Sequence, residues 1–229
     1  IVAHGLPISG LTFGVEVAAD YKAFNLQTTD EGYRFDLATP TGLFKAVCLN
    51  QLGSHNVANA LAAIALAEQA GLKMEEILPT LKSFPGVYRR MNLYRWKEAV
   101  VIDDYAHHPT EIQRVFETLQ SFFPGQRNCV VFQPHLFSRT RDFWDEFSTV
   151  LCQFDEVVLM EIYPAREMPI PGITSEILLE GLAHNQKKCI PKTEIQSVLE
   201  TSEASVFALL GAGDIGTEIQ QLKPELTSL

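Results

Sequence analysis

The residues best suited to chemistry follow an apolar run at positions 99–102. Two adjacent carboxylates, Asp103 and Asp104, come directly after it. The group is completed by Tyr105, His107, His108 and Pro109, where a helix-like pattern begins. A strand that ends in ionisable groups ahead of a helix is the usual place for a site in an open α/β sheet. Because burying a carboxylate is costly, we expect these groups at a sheet edge, suited to acid–base chemistry or substrate binding.

A second group follows the next predicted strand, Asn128–Phe132, at positions 133–140 (Q-P-H-L-F-S-R-T). It contributes an imidazole, His135, and a guanidinium, Arg139. Because the carboxyl ends of parallel strands meet at one edge, we expect both groups together, at the tips of two neighbouring strands. A nucleophilic Ser138 is not indicated, since no G-x-S-x-G elbow surrounds it.

The elements that must position these groups are strands alternating with helices from residue 88 onward. This alternation predicts an α/β fold, a mostly parallel sheet with helices on both faces. Predicted strands lie at 99–102, 128–132, 156–162, 188–190 and 206–210, and predicted helices at 109–123, 141–151, 175–185, 193–200 and 217–222. Residues 1–50 indicate strands with a hairpin turn at Asp30-Glu31-Gly32, and two helices follow, at 56–71 and 74–82. Phe84-Pro85-Gly86-Val87 breaks the pattern and predicts a domain boundary.

Composition excludes some classes of protein. The net charge of −10 argues against a nucleic-acid partner, which would require a basic surface. No apolar run reaches about 18 residues, so we expect no membrane insertion. Four cysteines without a C-x-x-C pair predict reduced thiols in a cytoplasmic protein. The chain begins Ile-Val-Ala-His without methionine, so we expect a fragment of a longer protein.

Three further motifs each allow two interpretations. Positions 53–59 (G-S-H-N-V-A-N) open a helix, either as a site for an anion or an adenine edge or through simple capping by Ser54 or Asn56. Arg89-Arg90 could clamp a phosphate or form a solvated pair. Gly211–Gly216 fits G-x-G-x-x-G, but too little chain follows it for a dinucleotide fold, so a tight strand-to-helix turn is expected.

Together these motifs resemble the Mur ligases, the ATP-dependent amide-forming enzymes of peptidoglycan synthesis. G-x-H-N-x-x-N at 53–59, F-x-G-V-x-R-R at 84–90 and D-D-Y-A-H-H-P-T-E at 103–111 stand in the family's order. The Q-P-H-x-x-S-R-T segment at 133–140 is similar to members that use L-alanine. One position departs from the pattern, since Leu136 stands where an arginine often follows the histidine.

The resemblance implies a domain plan. Residues 1–83 would be the C-terminal, strand-plus-helix part of the central ATP-binding domain, and residues 84–229 the C-terminal Rossmann-like domain. A domain for the UDP-sugar and a G-x-x-G-K-T-like phosphate loop are absent from the sequence, and with them the lysine and most magnesium ligands that the family uses. We therefore expect the chain to be inactive alone.

The resemblance also implies ligands and roles. ATP and Mg²⁺ would be the cofactors, UDP-N-acetylmuramate and L-alanine the substrates, and the amide would form through an acyl phosphate. Asn56 and Asn59 would face adenine, Arg90 the nucleotide phosphates and Asp104 the ribose hydroxyls. The pocket for L-alanine and the muramoyl end would be lined by Tyr105, His107, His135 and Arg139, and the catalytic set would be Asp104, His107, His135 and Arg139.

Three alternatives remain open. The murein-peptide recycling ligases share D-D-x-A-H-H-P-T, although positions 133–140 favour an alanine ligase. A metal hydrolase could use His107, His108 and His135, but neighbouring residues on one loop rarely converge on one ion. A non-catalytic adaptor would use the sheet edge only as structure.

Overall fold

The computed structural model describes residues 10–222 and 225–228. The chain divides into two compact units, Ile1–Pro85 and Gly86–Leu229. The division falls inside the pattern break at Phe84-Pro85-Gly86-Val87. Within the described residues, no helix combines the length and apolarity that crossing a bilayer requires.

The first unit holds a four-stranded sheet. Strand β1 (Phe13–Val15) runs parallel to β2 (Tyr21–Thr29), and β2, β3 (Gly32–Thr39) and β4 (Gly42–Leu49) form an antiparallel meander. The predicted hairpin turn is confirmed, because Asp30 and Glu31 join β2 to β3. Alternate residues of β3 face the core, namely Tyr33, Phe35 and Leu37.

Two helices follow in the same unit, α1 (Ser54–Gln69) and α2 (Met74–Ser83). The predicted capping of α1 by Ser54 or Asn56 is wrong. The N-cap is Gly53, at φ +88°, a conformation that glycine adopts without a steric penalty. The Asn56 side chain instead turns back and donates to the Leu52 carbonyl at 2.7 Å.

The second unit is built on a seven-stranded sheet. Its strands are β5 (Asn92–Trp96), β6 (Ala99–Asp104), β7 (Asn128–Phe132), β8 (Glu156–Met160), β9 (Lys187–Ile190), β10 (Val206–Leu210) and β11 (Thr227–Ser228). Their spatial order is β11-β5-β6-β10-β7-β8-β9. The five strands from β6 to β9 in that order are parallel, as predicted. β5 pairs antiparallel with β6, and β11 antiparallel with β5, which the sequence analysis did not predict.

Helices cover both faces of this sheet, as predicted. They are α3 (Pro109–Phe122), α4 (Phe137–Asp142), α5 (Trp144–Leu151), α6 (Ser175–Gly181), α7 (Ile195–Thr201) and α8 (Ile215–Leu222). One face carries Val101 and Leu209 in a buried cluster with Val198 of α7 and Ile219 of α8. Because strand side chains alternate, the neighbouring residues face the opposite side, where α3 contacts β10 and α5.

Candidate functional site

Five parallel strands bring their carboxyl ends to one edge of the second unit's sheet. Leu210 at the tip of β10 is in register with Asp104 of β6 on one side and with Phe132 of β7 on the other. The tips of β6 and β7 were predicted to be neighbours. That prediction is wrong, because β10 is inserted between the two strands. The loops beyond the tips nevertheless converge.

Asp104 ends β6 as a buried carboxylate, 5% exposed, that is held by backbone groups. Its Oδ2 accepts from the Met91 N–H at 2.8 Å and its Oδ1 from the Ala106 N–H at 2.7 Å. Burial raises the pKa of Asp104 above 3.8, although these two hydrogen bonds oppose the shift. The carboxylate is therefore fixed in orientation and shielded from water on most sides.

The two histidines after β6 are both half-buried and make different hydrogen bonds. His108 is the N-cap of α3, since its Nδ1 accepts from the Thr110 N–H at 3.3 Å. His107 donates from Nδ1 to the Tyr105 carbonyl at 2.8 Å, and Glu111 lies 3.3 Å from the same nitrogen. This tautomer leaves Nε2 of a neutral His107 as an acceptor.

A row of four rings crosses the sheet edge. Tyr105 and His107 meet edge to face with centroids 5.4 Å apart, and the centroids of His107 and His135 lie 5.9 Å apart. Tyr163, from the loop after β8, stacks on His135 at 5.6 Å. We refer to these four residues as the ring row. The row joins the loops of three strands, so the predicted residues Tyr105, His107 and His135 do come together.

Arg139 extends the ring row from α4. Its Nη1 lies 3.3 Å from Nδ1 of His135, and since a guanidinium can only donate, that nitrogen accepts. Burial, the Arg139 charge and His107 together lower the pKa of His135 below 6.5. His135 is accordingly held neutral with its proton on Nε2, next to a fixed positive charge.

The loop after β8 holds residues 135–138 in place through hydrogen bonds. His135 and Tyr163 form a parallel backbone bridge, and the Leu136 N–H donates to the Tyr163 carbonyl at 2.9 Å. Ser138 donates from its N–H to Glu167 Oε2 at 2.9 Å, and its hydroxyl donates to Oε1 of the same carboxylate. Leu136 adopts φ +73°, so the turn is strained for a residue with a side chain and must be held from outside.

The two arginines at positions 89 and 90 have opposite environments. Arg90 is exposed, with its guanidinium 5.7 Å from the centroid of the Tyr105 ring. Arg89 is 5% exposed and pairs through Nε with Asp103 Oδ1 at 2.9 Å. Neither predicted interpretation of the pair, a phosphate clamp or a solvated pair, fits the buried Arg89, and the only signal for its pairing in the sequence is the carboxylate pair at 103–104.

A second network that the sequence did not reveal closes the turn between β10 and α8. Gln133 donates to Asp214 at 2.6 Å and accepts from the Ile215 N–H at 2.9 Å, while Lys192 Nζ lies 2.7 Å from Asp214. Burial acts to raise the pKa of Asp214, but the hydrogen bonds from Lys192 and Gln133 outweigh it and the net shift is downward. The 211–216 motif is thus a tight strand-to-helix turn, as predicted.

In the first unit, the two asparagines at the start of α1 differ in freedom. Asn56 is half-buried and engages both ends of its amide, donating to Leu52 and accepting from Asn59 Nδ2 at 3.0 Å. Asn59 is exposed. Its amide oxygen could therefore meet a donor such as an exocyclic amine.

The described residues suit a phosphate better than a metal ion. An exposed guanidinium at Arg90 suits a phosphate. No metal-ligand set is found among residues 10–222 and 225–228, because they hold no group of three or more His, Cys, Asp or Glu side chains placed to share an ion. This arrangement does not favour the predicted alternative of a histidine-based metal hydrolase.

Comparison with known proteins gives a consistent family. Residues 89–215 match the family model described as Mur ligase, glutamate ligase domain, and residues 3–67 match the Mur ligase middle domain. The chain is 43% identical over 227 residues to a UDP-N-acetylmuramate–L-alanine ligase from Christiangramia forsetii. It is 44% identical over 226 residues to the ligase of the same name from Flavobacterium psychrophilum.

These alignments cover 98% of the chain and 50% of each relative, so the chain spans about half the length of the curated relatives it matches. Among solved structures, a UDP-N-acetylmuramate–alanine ligase from Thermotoga maritima superposes with a TM-score of 0.74 at 29% identity. That superposition covers 93% of this chain and 47% of the other.

Proposed function

The chain belongs to the Mur ligase family, and we propose that the protein carrying it joins L-alanine to the lactyl carboxylate of UDP-N-acetylmuramate. The reaction would consume ATP, pass through an acyl phosphate and serve peptidoglycan synthesis in the cytoplasm. The observation that carries this proposal is the ring row with Arg139 beside it. That arrangement lies in the segments, 103–111 and 133–140, by which the sequence resembles alanine-adding members.

The proposed pocket for the amino acid uses the groups of the ring row. A fixed guanidinium at Arg139 suits the carboxylate of L-alanine or of the muramoyl substrate. The stacked rings of His135 and Tyr163 form a flat wall beside it, which suits a small apolar side chain. Such a wall discriminates only modestly, about 1–3 kcal/mol per methylene.

His107 offers a hydrogen-bond acceptor at Nε2, and His135 a donor at its own Nε2. Since an amide bond forms only when the amine has lost its proton, the acceptor of His107 is suited to hold that proton. The donor of His135 is suited to an oxygen that gains negative charge during the attack. These roles make both histidines members of the catalytic set.

The nucleotide would be held by Asn56, Asn59, Arg90 and Asp104, in the roles given by the family resemblance. Bound ATP would supply the phosphoryl group that activates the carboxylate. Asn59 and Arg90 support these roles through their exposure, and Asp104 through an orientation fixed by two backbone N–H groups. No described residue is assigned to Mg²⁺.

The domain plan is part of the same proposal. Residues 1–83 would belong to the central ATP-binding domain and residues 84–229 to the C-terminal domain. Their division agrees with the compact units to within two residues.

The test is a ligation assay on the full-length protein with ATP. L-alanine plus UDP-N-acetylmuramate should release ADP, and the murein tripeptide should not replace L-alanine. Ligation of the tripeptide alone would identify a recycling ligase. Release of ADP with neither substrate would contradict both assignments.

A further inference from the structure

We infer that Arg89 is a positioning residue, which holds residues 89–91 and Tyr105 in the conformation that presents Arg90 at the strand edge. Nothing in the family resemblance assigns it this role. Its effect on nucleotide binding rests on the proposed function, but its effect on the loop does not.

The buried side chain of Arg89 joins three elements of the second unit. Nε binds Asp103 of β6 at 2.9 Å, and Nη2 donates to the Gly211 carbonyl beyond β10 at 2.7 Å. The first turn of α8 packs directly on the guanidinium, because a Cβ at Gly216 would lie 2.6 Å from Nη1. A single planar group thus fixes two strand tips and one helix start.

The loop at residues 89–91 has an unusual backbone conformation. Arg89 and Met91 adopt φ +54° and φ +51°, which is uncommon for residues with side chains. Such a conformation persists only when its surroundings hold it in place. The Arg89 N–H donates to the Asn92 side chain at 2.6 Å, so the loop is fixed at its backbone as well as through the buried side chain.

The same loop makes backbone hydrogen bonds with Tyr105 and Asp104. The Tyr105 N–H donates to the Arg89 carbonyl at 2.9 Å, and the Met91 N–H donates to Asp104 Oδ2 at 2.8 Å. Both guanidinium groups approach the Tyr105 ring, that of Arg89 at 5.5 Å and that of Arg90 at 5.7 Å from its centroid. Movement of Arg89 would therefore displace Tyr105, Arg90 and one hydrogen bond of Asp104 together.

The test uses Arg89→Lys, which keeps the charge but loses the planar fork. Hydrogen exchange in the 229-residue chain should become roughly tenfold faster at the amides of Met91 and Tyr105, and stay unchanged at Val131 and Val158. Arg95→Lys, at an exposed position on β5, is the matched control and should change neither pair. Equal acceleration at all four amides, or none, would overturn the inference.

A second variant and a kinetic measurement also test the role of Arg89. If Arg89→Lys does not fold, Asn92→Ala removes the acceptor of the Arg89 N–H and should accelerate exchange at Met91 and Tyr105 but not at Val131 and Val158. In the full-length protein, Arg89→Lys should raise KM for ATP roughly tenfold while kcat changes far less. An unchanged KM for ATP would overturn the functional half. Absence of ligation by the unmodified protein would instead contradict the proposed function, and the exchange result would still decide the role of Arg89.

Discussion

At the scale of residues, the strand tips hold their polar side chains mainly through backbone groups. Asp104 accepts from two backbone N–H groups, and His107 donates to a backbone carbonyl. Backbone partners are fixed by the sheet and do not depend on a ligand. The side chains are therefore arranged before any substrate binds, which is the property that precise sites require.

The buried carboxylate of Asp104 gives a prediction about pH. Because burial raises its pKa in the folded state, the folded chain binds more protons than the unfolded chain at pH values just above 3.8. The stability of the wild-type chain relative to Asp104→Asn should therefore fall as pH rises through that window. Denaturant unfolding of both proteins from about pH 3.5 to about pH 7 measures the difference. If the wild-type chain instead gained stability relative to Asp104→Asn as pH rises, the raised pKa of Asp104 would be contradicted.

The contact between Arg139 and His135 gives a second prediction. Arg139→Gln should raise the pKa of His135 toward 6.5 but not reach it, because burial, the larger cause of the lowered value, remains. NMR titration of the imidazole measures the shift. Arg141→Gln, in the same helix but paired with Asp142, should leave His135 unchanged. An equal shift in both variants would show that the helix as a whole, not Arg139, sets the pKa.

The chemistry of these residues could be predicted from the sequence, but their environments could not. The adjacent arginines at 89 and 90 carry the same local signal in the sequence. Only the fold buries Arg89 in an ion pair and leaves Arg90 exposed. The stacking of Tyr163 on His135 gave no local signal, because the two rings are 28 positions apart along the chain. The capping of α3 by His108 could not be predicted either, since histidine is not among the preferred N-cap residues.

At the scale of elements, the main error in the predicted fold concerns the order of strands. Alternating β-α units predict parallel strands correctly, but the order depends on contacts that are distant in sequence. β10 enters between β6 and β7 although it follows them by many residues. β5 was missed because it lies at the start of the second unit, where no helix precedes it to complete the alternating pattern. α4 was missed because six residues are too few for helical periodicity to be visible.

The turn from β10 to α8 gives a prediction at this scale. A Cβ at Gly213 would lie 2.7 Å from Cβ of Tyr163 and would also meet the Gln133 side chain, so Gly213→Ala should push Tyr163 away from His135. We expect a loss of about 1–3 kcal/mol in the free energy of unfolding. Gly181→Ala is the control, because its Cβ would meet only Trp144 at ordinary contact distances of 3.6–4.0 Å. Equal stability of the two variants would show that the turn tolerates the added carbon.

At the scale of the whole molecule, the described residues form two sheets, and the chain spans about half the length of the relatives it matches. Each compact unit has its own core, so each positions its predicted residues independently of any ligand. The predicted nucleotide contacts are divided between the units, with two asparagines in one and Arg90 and Asp104 in the other.

Weak nucleotide binding is predicted for the chain alone. The sequence contains no G-x-x-x-x-G-K-[ST] loop, so the backbone cradle and lysine that bind phosphates in such proteins are absent from it. We expect a Kd for ATP of about 1 mM or weaker. Isothermal calorimetry on the 229-residue chain measures it, with the full-length protein as the comparison. Micromolar binding by the chain would contradict this prediction.

The measurement that tests the central claim most directly is the ligation rate of the full-length protein when Arg139 is changed to Ala. If the ring row and Arg139 bind the substrates, kcat/KM for L-alanine or UDP-N-acetylmuramate should fall roughly tenfold to a hundredfold, the worth of a hydrogen bond to a charged group. Arg141→Ala, in the same helix, should keep the wild-type rate. Wild-type kinetics in the Arg139→Ala protein, with its fold intact, would show that this strand edge does not form the substrate site.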